Sequence, residues 1–223
     1  MLLSIIRQNQ KLAAKRNPAF DRNRFAKFLI YFMVAFWAAY LIFIGVMLSF
    51  AFEDIFPSME PYHIMNQELI YLLILDFLLR FMLQPAMSQE IKPYLLMPVK
   101  KNKLVDTLLL QSGISSYNFF WFFLIIPFAL FTIIRFYGLT GILCYLCGIW
   151  LLMVMNSYWY LICKTLLNEK LLYILLPIGV YGLLAGTEFI PEGNPVSTFM
   201  MNLGEGFIEG NILAFLGVIA AIL

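Results

Sequence analysis

Charge is scarce in this sequence: 13% of its 223 residues are Asp, Glu, Lys or Arg, about half the share an ordinary soluble domain carries. With 62% apolar and 17% aromatic residues beside that scarcity, a soluble globular chain is excluded. Histidine is scarcer still. His63 stands alone, so no histidine cluster can form within these residues, and in an outer loop it reads as a surface residue. The zinc-protease spacing HExxH, the phosphate-cradling GxxxxGK[ST] and the nucleophile elbow GxSxG are all missing, which leaves no visible catalytic constellation, metal site or cofactor site. The three cysteines, Cys144, Cys147 and Cys163, fall within one apolar run and do not form a disulfide framework. Cys144 and Cys147 make a CxxC without a second pair, in mid-helix, where small packing residues are the expected role. Leu2–Ile6 is too short for the apolar region of a signal peptide, and its charges follow it instead of preceding it.

What is present is a series of long, nearly uncharged runs, each able to cross a hydrocarbon core of about 30 Å as a helix. The runs are continuous rather than alternating, which disfavours a membrane β-barrel. The expected fold is all-α: a polytopic helical membrane protein with about six transmembrane helices, over residues 28–52, 69–87, 113–136, 139–162, 171–187 and 211–223. The sixth run has 13 residues, too few to span at about 1.5 Å rise each, and is expected to be an incomplete part of a longer protein's helix. Residues 1–27 read as a cytoplasmic amphipathic segment, with Leu2, Ile5, Ile6, Leu12 and Ala13 at helical spacing among basic residues, lying in the membrane plane before Asn17 and Pro18 end it. Residues 28–223 form a single transmembrane domain. Tyr137 and Gly138 are expected to make a tight turn between the third and fourth helices.

The charges set the orientation. Seven basic residues precede the first run, Lys92, Lys100, Lys101 and Lys103 lie in the polar segment 88–112, and Lys164 and Lys170 mark a further turn, so thirteen of the 15 Lys and Arg share one side. Eight acids occupy the opposite side, in loop 53–68 and segment 188–209, where Ser197–Leu203 is less polar and suited to the membrane surface. By the positive-inside rule the N-terminus and loop 88–112 are cytoplasmic. The basic N-terminus reads as an orientation signal touching anionic headgroups, not as a nucleic-acid site. Arg135 is a basic exception at an outer end, and can snorkel to the interface.

Asp76 and Arg80 stand i and i+4 within the second run, on one helical face and in the favourable order, acid first. Ionisable groups there are costly unless paired or wetted. The pair either lines a translocation path or compensates itself, with Arg80 snorkelling inward. Gly182 and Gly186 make a GxxxG suited to close helix approach. In the basic loop, KPYLLMPVKKNK, Pro93 and Pro98 confine any helix to short pieces and leave Tyr94 to Met97, including Leu96, as an apolar knob at the cytoplasmic surface. A soluble partner could grip that knob; an ordinary basic loop would instead lie on lipid headgroups.

The Leu-x-Pro-[Val/Ile]-[Lys/Arg] core of that loop (Leu96, Met97, Pro98, Val99, Lys100) follows an in-plane N-terminal helix and two spanning helices, and further helices with an outer segment come after it. This arrangement resembles the transmembrane subunit of ABC-2-type transporters. The stretches AAKRNPAF and IKPYLLMPVKKNKLV are similar to an uncharacterised bacterial integral-membrane family of ABC-2-permease-like proteins, whose members are usually about twice this length; the present chain resembles their N-terminal half. The resemblance implies an inner-membrane exporter subunit that hydrolyses nothing itself. Lys92, Pro93, Tyr94, Leu96, Pro98, Lys100, Lys101 and Lys103 would couple it to a cytoplasmic ABC ATPase, and a second six-helix half or a homodimer would enclose the path. The alternative expectation is a non-transporting membrane scaffold whose basic loop recruits a partner or lipid.

Overall fold

The computed structural model describes residues 24–84, 101–187 and 194–223, together with residues 8, 9 and 12. The described chain is helical throughout, without strands. In order, the helices are α1 (Arg24–Ile55), α2 (Pro61–Gln67), α3 (Leu69–Leu83), α4 (Lys101–Gly113), α5 (Ser116–Phe120), α6 (Phe122–Phe131), α7 (Ile134–Glu169), a 3-10 turn (Leu171–Ile174), α8 (Leu175–Gly186), α9 (Pro195–Ile208) and α10 (Ile212–Ile222). Two of them, α1 over Lys27–Ile55 and α7, are long and apolar enough to cross a membrane. Two bent pairs, α4–α5 with α6 (58°) and α9 with α10 (116°), meet the same criterion when each is taken as one span.

The long helix α7 organises the bundle. Gly141, Ile142, Tyr145, Gly148, Ile149, Leu152, Met153, Asn156, Tyr160 and Cys163 recur at three- and four-residue steps and are all buried. Such a stripe faces neighbours along the helix's whole length, and α7 packs against α3, α4, α5, α6, α9 and α10. The core runs through Leu69, Ile125, Phe128, Ile133, Ile149, Leu152 and Phe207, each at most 2% exposed. The expected turn is present: Gly138 has φ +63° and ψ −161°, a backbone state open to glycine. At the opposite end α7 continues past the expected stop at residue 162, because Lys164 stays within the helix and sends its Nζ to the Phe81 carbonyl of α3 at 2.9 Å and to the Gln84 carbonyl.

Several expected boundaries change. Segment 88–112 is not loop throughout, since α4 begins at Lys101: once Pro98 is past, nothing in KNKLVDTLLLQ opposes helix. Run 113–136 is not one helix: it holds the end of α4, all of α5 and α6 and the start of α7, with breaks at 114–115, at Trp121 and at 132–133. The polar cluster Ser112, Gly113, Ser115, Ser116 and Asn118 supplies side chains and a flexible residue that compete with the helical ladder. Within 188–209, α9 packs on α2 and α7, burying Met200, Gly204, Phe207 and Ile208 and leaving Phe199 exposed. Its start is fixed by Asn194, whose Oδ1 accepts from the N–H of Val196 (3.0 Å) and Ser197 (3.1 Å), followed by Pro195 in the first turn. The in-plane helix over 1–17 lies outside the described residues except for helical backbone at Gln8, Asn9 and Leu12.

Close helix approach occurs at glycines other than the expected pair. A Cβ on Gly45 of α1 would meet the Leu124 carbonyl oxygen of α6 at 2.3 Å, and one on Gly148 would meet the Phe207 ring at 2.2 Å. A Cβ on Gly182 or Gly186 would meet no neighbouring group within 4 Å. Gly182→Ala is therefore expected to leave the bundle intact and to raise its thermal midpoint, because Ala is favoured over Gly in a helix interior by about 1 kcal/mol. A lowered midpoint in the purified protein would contradict this.

Candidate functional site: a buried polar hub

Asp76 and Arg80 lie on the buried face of α3, and the i, i+4 spacing brings them together: Arg80 Nε donates to Asp76 Oδ2 at 2.7 Å. Arg80 is 0% exposed and Asp76 3%. Arg80 therefore does not snorkel; its guanidinium turns inward. The pair is held by three other segments. Trp121, at the α5–α6 break, donates its indole N–H to Asp76 Oδ1 at 2.8 Å, and Asn156 of α7 donates to Asp76 Oδ2 at 2.7 Å. Asn118 of α5 accepts from Arg80 Nη2 at 2.7 Å. The carboxylate thus receives three donors, two of them on its Oδ2, which is the satisfaction a buried charge requires.

Each supporting side chain is itself fixed. Asn118 Nδ2 donates to the carbonyls of Ser112 (3.0 Å) and Gly113 (2.6 Å), the last carbonyls of α4, which have no partner in their own helix. Asn156 Nδ2 also reaches the Leu73 carbonyl at 2.9 Å, and its Oδ1 accepts from the Tyr181 hydroxyl of α8 at 2.6 Å. Ser112 and Ser157 share a hydrogen bond of 2.7 Å beside them. One connected network therefore joins α3, α4, α5, α7 and α8. The expectation from sequence reached only Asp76 and Arg80. Asn118, Trp121, Asn156 and Tyr181 were missed, and the available signal was weak: two lone asparagines, each inside an apolar run where an unpaired amide is costly.

Of the basic-loop residues singled out, Lys92, Pro93, Tyr94, Leu96, Pro98 and Lys100 lie outside the described residues, whereas Lys101 and Lys103 fall on the first turn of α4. The described residues on either side of that segment border the hub. On the leading side Tyr160 of α7 donates its hydroxyl to the Gln84 carbonyl at 2.6 Å, next to the Lys164 contacts. On the trailing side α4 ends on Asn118.

A second polar group sits at the far end of the bundle, between α2 and α9. His63 is not a free surface side chain: its Nδ1 lies 2.5 Å from Glu205 Oε1, and its ring packs on Tyr62 with centroids 4.2 Å apart. Tyr145 donates its hydroxyl to Asn66 Oδ1 at 2.9 Å, and Asn66 rests on Gly204, where a Cβ would meet its side chain at 2.3 Å. Arg135 reaches Glu53 Oε1 at 3.5 Å, both half-exposed. Burial, and after it the hydrogen bond with Tyr137, pushes the Tyr62 phenol up to about 12. Its neutral form is thus favoured by the fold, so its contribution is whole below pH 10.0, the ordinary value, and is lost as pH rises from there through about 12. Tyr62→Phe is expected to flatten the fall in unfolding free energy across that window, read from denaturation series at stepped alkaline pH.

Among the described residues no three His, Cys, Asp or Glu side chains gather as metal ligands. Cys144, Cys147 and Cys163 are free thiols, of which only Cys163 is buried.

These features define a class: an all-helical protein with apolar helices of membrane-crossing length, built around a buried ion-pair network. The chain belongs to the family of unknown function DUF5687, which it matches over residues 10–223. No curated protein and no solved structure matches it.

Proposed function

We propose that this chain is a permease subunit of an ABC-type exporter in the bacterial inner membrane. The N-terminus and the basic segment 88–112 face the cytoplasm in this reading, about six helices cross the bilayer, and the acidic segments holding α2 and α9 lie outside. A separate cytoplasmic ATPase engages the 92–103 stretch, and a second six-helix half, from a homodimer or a longer chain, completes the path amid membrane lipids. The observation that carries the reading is that the helices on either side of the basic segment are anchored at or beside one buried ion pair. Tyr160 and Lys164 hold Gln84, four residues before the segment and one turn after Arg80, and Asn118 links α4, which begins within the segment, to Arg80. A pull on the segment would therefore act on the two helices that the ion pair joins, which suits an element that transmits a displacement from outside the membrane.

The test is a pull-down of the protein from its native membrane in mild detergent, comparing the wild type with the double variant Lys100→Glu, Lys101→Glu. A P-loop ATPase recovered with the wild type and lost from the charge-reversed variant, at equal membrane insertion, is the expected result. If none copurifies under conditions that preserve other complexes, the exporter reading loses its energy source. The chain is then better read as a scaffold that recruits a partner or lipid through the same lysines.

A further inference from the structure

Helix α2 has seven residues, below the length at which a helix holds its shape in isolation, so its structure rests on what it docks against. Its main partner is α9, and the two run in opposite directions through three successive contacts. Gln67 Nε2 donates to Met201 Sδ at 3.3 Å, Asn66 lies against Gly204 with no room for a Cβ between them, and His63 Nδ1 stands 2.5 Å from Glu205 Oε1. The first two are neutral. The third joins an imidazole to a carboxylate, each little more than a quarter exposed, so protons from solvent reach it.

Histidine is the side chain that ordinarily changes charge between about pH 5 and 8, and His63 is the only histidine in the sequence. Apart from Arg135, the titratable groups around it are acids and phenols. On α9 Glu205 is in contact and Glu209 follows one turn on. On α2 itself the Glu60 carbonyl accepts the His63 backbone N–H at 3.0 Å, and the Tyr62 ring packs on the imidazole. From α7 Tyr137 meets Tyr62 edge-on with centroids 6.0 Å apart, and Arg135 is taken up by Glu53 of α1, beside Asp54. Glu68 stands exposed between α2 and α3. An imidazolium carries an N–H on both ring nitrogens and meets Glu205 as a charge-assisted pair. A neutral ring carries one, and donates to the carboxylate only when that proton lies on Nδ1. Docking of α2 on α9 and protonation of His63 therefore favour each other, and the contact weakens as rising pH removes the proton.

We propose that His63 and Glu205 form a pH-sensitive clamp, which fastens α2 to α9 while the imidazole is protonated and loosens it when the proton leaves. Because α2 runs through Glu68 directly into α3, the clamp acts on the helix that carries Asp76 and Arg80. The proposal does not depend on the exporter reading. Two measurements on the untagged full chain in lipid nanodiscs test it. Isotopically labelled histidine gives NMR signals from His63 alone; its protonation midpoint is expected to fall in Glu205→Gln, and a midpoint that does not fall overturns the pairing. Hydrogen exchange, corrected for the intrinsic pH dependence of amide exchange, follows the docking. From pH 6 to pH 8 the α2 amides are expected to lose about two- to fivefold in protection, the range a part-exposed ion pair supports, while α6, which has no titratable side chain, does not change. Equal α2 protection at the two pH values in the wild type overturns the proposal without any variant having to fold. A folded His63→Gln protein that keeps the wild-type pH dependence overturns it equally.

Discussion

Asp76→Ala is expected to destabilise the bundle by about 3–5 kcal/mol, the usual cost of removing one member of a buried ion pair. The loss strips Trp121 of its acceptor, leaves the Asn156 Nδ2 with the Leu73 carbonyl alone, and leaves the Arg80 charge uncompensated at 0% exposure. Arg80→Met should cost less. The Asp76 charge would lose its counter-ion, but the carboxylate would keep Trp121 and Asn156 as donors, and the other orphaned group would be the neutral Asn118 oxygen. Equilibrium unfolding in mixed micelles measures both variants. Asp76→Ala within about 1 kcal/mol of wild type would mean that the network contributes little, because that is the range of an exposed pair.

Gly45→Ala is the second large effect. Its new methyl group would fall 2.3 Å from the Leu124 carbonyl oxygen, 3.2 Å from the Leu124 carbonyl carbon and 2.9 Å from Pro127 Cγ. Two of these atoms are helix backbone, and the third is a proline ring, so no side-chain rotation relieves the contact. The α1–α6 pair must separate, and overpacking of this kind costs about 1–3 kcal/mol. The same change at Gly148 meets a Phe207 side chain instead, so Phe207→Leu should partly rescue Gly148→Ala, whereas no single side-chain trimming on α6 should rescue Gly45→Ala. Thermal midpoints of the four variants decide the matter; a Gly45→Ala protein as stable as wild type would show that α1 can move away freely.

The legible part of the fold is the part that hydrophobicity alone determines. The runs containing α1, α3 and α7 announce themselves by length and absence of charge, and the Tyr137–Gly138 turn by a glycine between apolar stretches. The pairing of Asp76 with Arg80 follows from a spacing of four. What was not legible depends on side-chain hydrogen bonds between distant segments. Asn118 takes the terminal carbonyls of α4, and that contact, with its serine and glycine neighbours, accompanies the break in a run whose apolar content alone reads as continuous. Arg80 was given a snorkelling alternative because its partners Asn118 and, through Asp76, Trp121 and Asn156 lie 38 to 80 residues from the ion pair in sequence. The GxxxG at Gly182 was a composition signal, whereas Gly45 stands alone in its run and Gly148 has only Gly141, seven residues away, and both acquire meaning only from the helix that arrives opposite.

The four-residue spacing of Asp76 and Arg80 also bears on how such a chain is made. In the proposed arrangement α3 enters the membrane during synthesis before Asn118, Trp121 and Asn156 exist, and two isolated charges would then oppose its partition into lipid. Because the two residues share one helix face, the nascent segment can neutralise itself within a single turn and go in as a net-uncharged unit. The later helices then find a dipole already formed and need only add their donors. Biogenesis of this bundle would accordingly tolerate delays in the arrival of α7 better than it would tolerate moving either charge to another helix.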